Sequence, residues 1–535
     1  MVAAPKSKVA DLAESIVKVG DEEKTTRIQF RYVLILLASL GLLCEYMMRV
    51  NLNVVIVMIV NQTAVQQTTK ISNCFIPFAN NTSALPASSE LRRENGQETF
   101  AWDPVTQGLI LSSFYWGYTF TPIVGGCFAE RYSAKWLFGL SSLLNALLGF
   151  LIPVVTMKLG HIGLITLRVL QGLAEGVALP SIRVQLARWI PKNQRSTAVA
   201  CTDIGNFLGA AIGLLSAGEI ATNSSLGGWP SVFYMTSVVT VVWCIAWLAL
   251  TTDTPQEHPC IGQWELNHIL MDLGATIDAD KELTTPWMDI LCSVKVWVVH
   301  FAVFGNLYLQ YTIITELPIY LATVLNFDIR SSGFFSALPY VGAIIGGIVA
   351  GPLADKMIRQ EMLSRTAARK LFNTLALGSP SLILFVVVRV AGCNSHLSLI
   401  LFIIAGTFRG MSEAGVGPMS LDMAPDFAGS MFGISVTIGA FSGMLVPEVT
   451  SFFIHKDNST TNWSYSFYVA GIIGMSAALT FLLFASAEAQ PWGTVKNELE
   501  NNGLAGSSGN DAASAVQKDQ LVSTPKDVKE PAGAK

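Results

Sequence analysis

The chain carries twelve mostly apolar stretches, near 32–60, 104–126, 136–157, 161–188, 197–221, 230–251, 295–325, 331–355, 371–391, 397–421, 427–454 and 463–487. A run of about 20 apolar residues is the length a helix needs to cross the hydrocarbon core of a bilayer. In that solvent every backbone N–H and C=O must find a partner inside the protein, and a helix satisfies its own. The sequence therefore predicts an all-α polytopic membrane protein with twelve transmembrane helices in two six-helix halves. Composition agrees: 51% of the 535 residues are hydrophobic and 13% are Asp, Glu, Lys or Arg, whereas a soluble domain has about 25% charged residues. A net charge of −4 offers no basic surface for neutralising phosphates, so no nucleic acid is expected as a partner. The 8 cysteines form no CxxC pair, and neither a metal site nor a disulfide framework is expected.

The stretches, numbered here as spans 1 to 12, divide the chain. Residues 1–31 are a polar tail without the features of a signal peptide and read as cytosolic. Residues 32–251 form an N-terminal bundle with a long exofacial loop at 61–103, and 252–294 are a cytosolic linker with room for a surface helix. A C-terminal bundle follows at 295–487, then a disordered cytosolic tail at 488–535 rich in Asn, Gly, Ser and Lys. With both termini inside, the basic loops holding Arg131 and Lys135, Arg188 and Lys192, and Lys356, Arg359 and Arg365 all face the cytosol. The glycosylation acceptor sequences at Asn61, Asn80, Asn81, Asn223, Asn458 and Asn462 then all face the other side.

The two halves share motifs. Gly126, Ala129, Glu130 and Arg131 after span 2 recur as Gly351, Ala354, Asp355 and Lys356 after span 8, and Glu130, Arg131, Asp355 and Lys356 are candidate gating residues. Gly172, Glu175 and Pro180 of span 4 recur as Gly410, Glu413 and Pro418 of span 10. Internal repeats of this kind mark secondary transporters, whose halves rock around a site near the membrane midplane.

Charges inside the spans are few and patterned: Glu45 with Arg49, Arg168 with Glu175, and Arg409 with Glu413. Each costs about 2.5–3.5 kcal/mol at a helix centre on insertion scales, so a polar cavity or a partner is expected. The spacings of four and seven keep each pair near one helix face, with the three arginines nearer the exofacial side and the glutamates deeper. The plainer reading is ion pairs within or between helices that close a gate or satisfy each other; Arg168 and Glu175, about 10 Å of rise apart, lack the local pairing open to Glu45 with Arg49 and Arg409 with Glu413. With all six ionised the cluster is neutral, so an entering anion requires a proton on a carboxylate or an accompanying cation. Arginine suits the anion, because its planar fork binds carboxylate or phosphate bidentately and stays charged. Glu45, Glu175 and Glu413 are the candidate coupling groups. Glu316 reads as a gate or end residue, His300 as a packed histidine, and Asp203 and Asp422 as caps or partners of loop arginines.

The segments RVNLNVVIVMIVN (49–61), QGLILSSFYWGYTFTPIVGG (107–126), RVLQGLAEGVALP (168–180), RWIPKNQRS (188–196), SALPYVGAIIGGIVAG (336–351), LDMAPDFAGSMFGISVTIGAFSGMLVP (421–447) and AEAQPWG (487–493) carry a family likeness. From about residue 31 to 493 the chain resembles the anion/cation symporters of the major facilitator superfamily, the group of sialin, the vesicular glutamate transporters and the sodium–phosphate cotransporters. The resemblance implies the facilitator fold, alternating access for anions, an anion-site arginine at Arg49 supported by Arg168, and a proton-linked acid at Glu175. It also marks departures: Arg183 stands where the family often has histidine, and Met419, Ser420, Leu421 and Asp422 where it usually reads Asn-His-Leu-Asp. Asn306 stands where vesicular glutamate transporters have an arginine, which weakens that assignment. Asn306 and Ser420 join Arg49, Arg168 and Arg409 as candidate substrate contacts.

The reading is a secondary active transporter of small organic anions or inorganic phosphate, coupled to H⁺ or Na⁺, with no other cofactor. It is expected to act as a monomer in the bilayer, with the plasma membrane favoured over a vesicle or lysosome membrane because no acidic dileucine signal stands out. A non-transporting anion receptor on the same fold is the alternative; a sensor need not keep gate motifs in both halves. No nucleophile–base constellation or phosphate-binding glycine loop points to an enzyme.

Overall fold

The computed structural model describes residues 29–60, 100, 102–191, 194–274, 285–391, 394–424, 427–455 and 459–493. Ten helices among the described residues are long and apolar enough to cross a membrane. One of them, Ala134–Trp189, is two spans: Gly160 takes φ 61° and ψ −143°, a left-handed backbone open to glycine, and behind it Gly163 packs on Val155 and Leu159. A further span is broken into Pro104–Tyr118 and Thr121–Arg131. With these two the twelve expected spans are accounted for. Their outward faces stay apolar, with Val242, Ile245, Ile472 and Leu483 all 60% or more exposed, as lipid-facing side chains are.

The repeat extends to the helix starts. Asp103 caps span 2 by accepting from the Thr106 N–H at 3.1 Å, and Asp328 caps span 8 (Ile329–Arg359) by accepting from the Ser331 N–H at 3.2 Å. Ser133 and Ser364 cap spans 3 and 9 in the same way. The halves meet along three helix pairs. Asn53 of span 1 (Phe30–Ile59) donates to the Ile314 carbonyl of span 7 at 3.0 Å, and Ser112 of span 2 donates to Glu448 of span 11 (Ala428–Ile454) at 3.1 Å. Arg330 of span 8 pairs with Glu219 of span 5 (Arg195–Thr222) at 2.5 Å.

One expectation is corrected. Spans 4 and 10 are not continuous helices. Span 4 runs to Glu175, turns at Gly176 and Val177, and restarts as Ala178–Trp189. Span 10 runs from Ser395 to Gly410, tightens over Met411–Glu413 and resumes only as Met419–Met423. Each break falls at the repeated acid, a few residues before Pro180 or Pro418, where proline removes a backbone donor. The linker helix, Gln263–Gly274, is present but docked. The buried Glu265 accepts from the Phe30 and Arg31 N–H groups at 3.0 Å each, placing a carboxylate on the free donors that open span 1. His258 lies against Phe30 and Trp189, with ring centres 4.3 and 5.7 Å away.

Close helix approach explains the repeated glycines. A Cβ on Gly172 would sit 1.9 Å from the Phe114 carbonyl oxygen of span 2, and one on Gly410 would sit 2.0 Å from the Ala343 oxygen of span 8. Each half thus packs its fourth helix on its second without room for a methyl. Gly410→Ala is expected to destabilise the folded chain by about 1–3 kcal/mol. Gly351→Ala, with nothing within 4 Å of the new methyl, is expected to leave it unchanged, and thermal unfolding of both variants in detergent checks the contrast.

Candidate substrate and coupling site

Arg49 is 5% exposed and lies on the inner face of span 1. Its Nε donates to Glu175 Oε1 at 2.9 Å, and its Nη2 reaches the same oxygen, so one carboxylate at the end of the first helix of span 4 takes two guanidinium N–H groups. Around the guanidinium stand the rings of Tyr46, Phe114 and Tyr118, with centres 4.5, 5.0 and 4.6 Å away. Tyr115 and Tyr311 pack edge to face at 4.7 Å, bringing spans 2 and 7 together beside them. Aromatic faces stabilise a cation without neutralising it. Glu175 is therefore the formal counter-charge, and an anion competing for Arg49 meets Glu175 as its rival.

Arg168 is 2% exposed and enters no ion pair among the described residues. It donates to the backbone oxygens of Arg49 at 2.9 Å and Met48 at 3.4 Å, and to Gln171 Oε1 at 3.2 Å. It holds the Arg49 backbone and adds a positive charge without a carboxylate of its own. Asn145 of span 3 closes the cluster: its Nδ2 donates to Glu45 Oε2 at 2.6 Å and to Glu175 Oε2 at 3.2 Å.

The pairing along one helix is not what forms. Glu45 faces Asn145 of span 3, while Arg49 faces Glu175 of span 4. Arg409, 3% exposed, donates through Nη1 to Gln310 of span 7 at 3.0 Å and lies 5.1 Å from the Phe207 ring centre of span 5. Its Nη2 has no hydrogen-bond partner among the described residues. The helix ends at Gly410, so Glu413 leaves the face that the spacing of four assumed. Glu413 is exposed, with Asp203, Arg409 and Arg183 as its charged neighbours.

The remaining candidates are dispersed. Asn306 is half-buried on span 7, and its Oδ1 lacks a partner among the described residues. Ser420 is buried in the short helix Met419–Met423, away from the Arg49 contacts. Asp203 accepts from Arg183 Nη2 through both oxygens at 2.7 Å, and Asp422 accepts from Arg369 at 2.9 Å; both pair with arginines, but these lie in the helices Ala178–Trp189 and Arg365–Val386 and not in loops. Arg131, Asp355 and Lys356 are exposed at the ends of spans 2 and 8, and the side chain of Glu130 lies outside the described residues. His300 is buried, its Nδ1 2.8 Å from the Ser435 hydroxyl, and Glu316 is 2% exposed within the widened turn Thr312–Glu316. Asn223 is exposed at the end of span 5 and Asn462 lies in the first turn of span 12. Asn61, Asn80, Asn81 and Asn458 lie outside the described residues. Sequence reasoning passed over Asn145, Gln171 and Gln310; the available signal was a lone amide in an otherwise apolar run.

The Major Facilitator Superfamily profile matches residues 38–447. Sialin from Homo sapiens is 33% identical over 465 residues, covering 86% of this chain and 90% of that protein. A Drosophila melanogaster protein provisionally named an inorganic phosphate cotransporter is 31% identical over 477 residues, covering 89% and 88%. Vesicular glutamate transporter 2 from Mus musculus is 31% identical over 469 residues, covering 86% and 75%. The fold matches the crystal structure of a D-xylose–proton symporter with a TM-score of 0.59 at 14% identity, covering 86% of this chain and 99% of that one. With the twelve spans and the two repeated halves, these matches make the chain a multi-pass transporter of the major facilitator superfamily, in the branch that holds sialin, the vesicular glutamate transporters and the phosphate cotransporters.

Proposed function

We propose that the chain is a secondary active transporter of small organic anions or inorganic phosphate, coupled to H⁺ or Na⁺ and working by alternating access. One observation carries this reading: Arg49, a buried cation ringed by aromatic faces, has as its counter-charge a single carboxylate, Glu175, that an anion can replace. When Glu175 takes a proton it gives up its charge, Arg49 loses its rival partner, and an anion can occupy the freed fork. Release of the anion lets Glu175 lose the proton and recapture Arg49. Broken spans 4 and 10, each resting through a glycine on span 2 or 8, supply two halves able to rock around this pair. The basic loops, with the acceptor sequences on the opposite side, support both termini lying inside.

Uptake into proteoliposomes under imposed H⁺, Na⁺ and voltage gradients, with phosphate, glutamate, sialic acid, urate and aromatic anions offered in turn, tests the proposal. Uptake driven by one cation gradient is expected; saturable binding with no uptake under any gradient, in sealed vesicles, turns the reading to an anion receptor.

Two variants test the coupling. Because protonation of Glu175 frees Arg49, anion affinity should rise as pH falls, by up to about tenfold per pH unit for one coupled proton. Glu175→Gln fixes the uncharged state and should remove the part of that pH dependence that Glu175 supplies; an unchanged pH profile removes Glu175 from the mechanism. Arg49→Lys keeps the charge and loses the fork, and should weaken anion binding about 10–100-fold in equilibrium titrations.

A further inference from the structure

Glu45 is 1% exposed and lies one helical turn before Arg49, yet no guanidinium lies within ion-pair distance of it among the described residues. Its Oε2 accepts one hydrogen bond, from Asn145 Nδ2 at 2.6 Å, and its Oε1 accepts none. The hydroxyl of Ser142, one helical turn before Asn145 on span 3, is also buried without a partner that meets hydrogen-bond geometry, and stands beside the carboxyl. A carboxylate in low dielectric holds its charge only when cations or several donors surround it. Glu45 has a single amide donor. A proton on Oε1 would supply the donor that this corner of the bundle lacks, with Ser142 Oγ as an acceptor next to it.

The same amide nitrogen of Asn145 reaches Glu175 Oε2 at 3.2 Å. One NH₂ group therefore touches both acids, and the charge on either bears on the other. The titratable groups facing Glu45 are Glu175 of span 4, Arg49 and Cys44 of its own span, and Cys244 of span 6; span 3 presents only Ser142 and Asn145. Arg49 spends its hydrogen bonds on Glu175, which leaves Glu45 as the unpaired acid of the cluster.

We infer that Glu45 is a second proton-binding site, linked to Glu175 through Asn145, so that the transporter takes up two protons as it loads one anion. Its transport part rests on the anion-symport reading above. Charge counting gives the consequence: Arg49 and Arg168 balance Glu45 and Glu175 when both acids are ionised, and each proton bound leaves one positive charge for the entering anion to meet.

The proton site is tested without a substrate. Infrared difference spectra between acid and alkaline pH, on the purified chain in lipid nanodiscs, should contain among their buried-carboxyl bands one that belongs to Glu45 and one that belongs to Glu175. Glu45→Gln should remove one and keep the other, and Glu175→Gln should do the reverse. Asn145→Ser keeps both acids and cuts the bridge, so both bands should persist while titration of one no longer shifts the other. Loss of no band in Glu45→Gln overturns the inference, as does a single band in the unmodified chain. Transport gives the second arm, with sialic acid and with inorganic phosphate, its accumulation ratio counted as H₂PO₄⁻, as probes at zero membrane potential. The slope of log accumulation ratio against ΔpH should fall from about two to about one in Glu45→Gln. A slope of about one in both proteins overturns the second transported proton. Failure of the unmodified chain to accumulate any anion overturns the symport reading, while the infrared bands still decide whether Glu45 binds a proton.

Discussion

The ion pair between Arg49 and Glu175 ties span 1 to span 4 in the dry interior of the N-terminal half. Breaking a buried pair of this kind by removing one partner costs about 3–5 kcal/mol, because the other charge is stranded. Such a contact has to be given an alternative partner whenever it opens, and the only mobile candidates in a transporter are an anion for the arginine and a cation for the carboxylate. The pair is a structural tie, and in the proposed mechanism it is also the lock that a substrate and a coupling ion open together. Its aromatic collar of Tyr46, Phe114 and Tyr118 stabilises the arginine without supplying a second negative charge.

The two halves use the repeat differently. In the N-terminal half the acid at the helix break, Glu175, is buried and paired. In the C-terminal half its counterpart Glu413 is exposed, and Arg409 turns away from it to Gln310. The same motif therefore builds a charge lock in one half and leaves an open acid in the other. The packing beneath is conserved between halves, since Gly172 and Gly410 both bring span 4 or 10 against the backbone of span 2 or 8. Symmetry survives where sterics set it and lapses where side-chain chemistry does.

At the other end of the N-terminal half, Asp253 and Glu265 bind the linker to the helix starts. Asp253 accepts from the Lys135 N–H at 3.1 Å and lies 3.6 Å from Arg188, while Glu265 covers the first N–H groups of span 1. Carboxylates at helix N-termini complete unsatisfied donors and oppose the positive end of the helix dipole. The described part of the linker, from Asp253 through the helix Gln263–Gly274, is thereby tied to the N-terminal bundle.

The twelve spans, the halves, the repeat and the presence of Arg49, Arg168 and Glu175 as charges inside the bundle were legible in the sequence, because the bilayer imposes a length on every apolar run and makes every buried charge conspicuous. The residues that pair were not. A spacing of four places Glu45 near Arg49 and Glu413 near Arg409, but it does not say which way each side chain turns, nor that span 10 stops being helical at Gly410. Helix breaks at Glu175 and Glu413 follow from packing against neighbouring spans as well as from local sequence, and the prolines downstream hinted only at a kink. Asn145, the amide that joins Glu45 to Glu175, carries no charge and no motif, so only its place between spans 1 and 4 gives it a role. Sequence determined which charges the membrane must accommodate; tertiary structure decided which of them neutralise one another, because that depends on ångström-scale contacts between helices far apart in the chain.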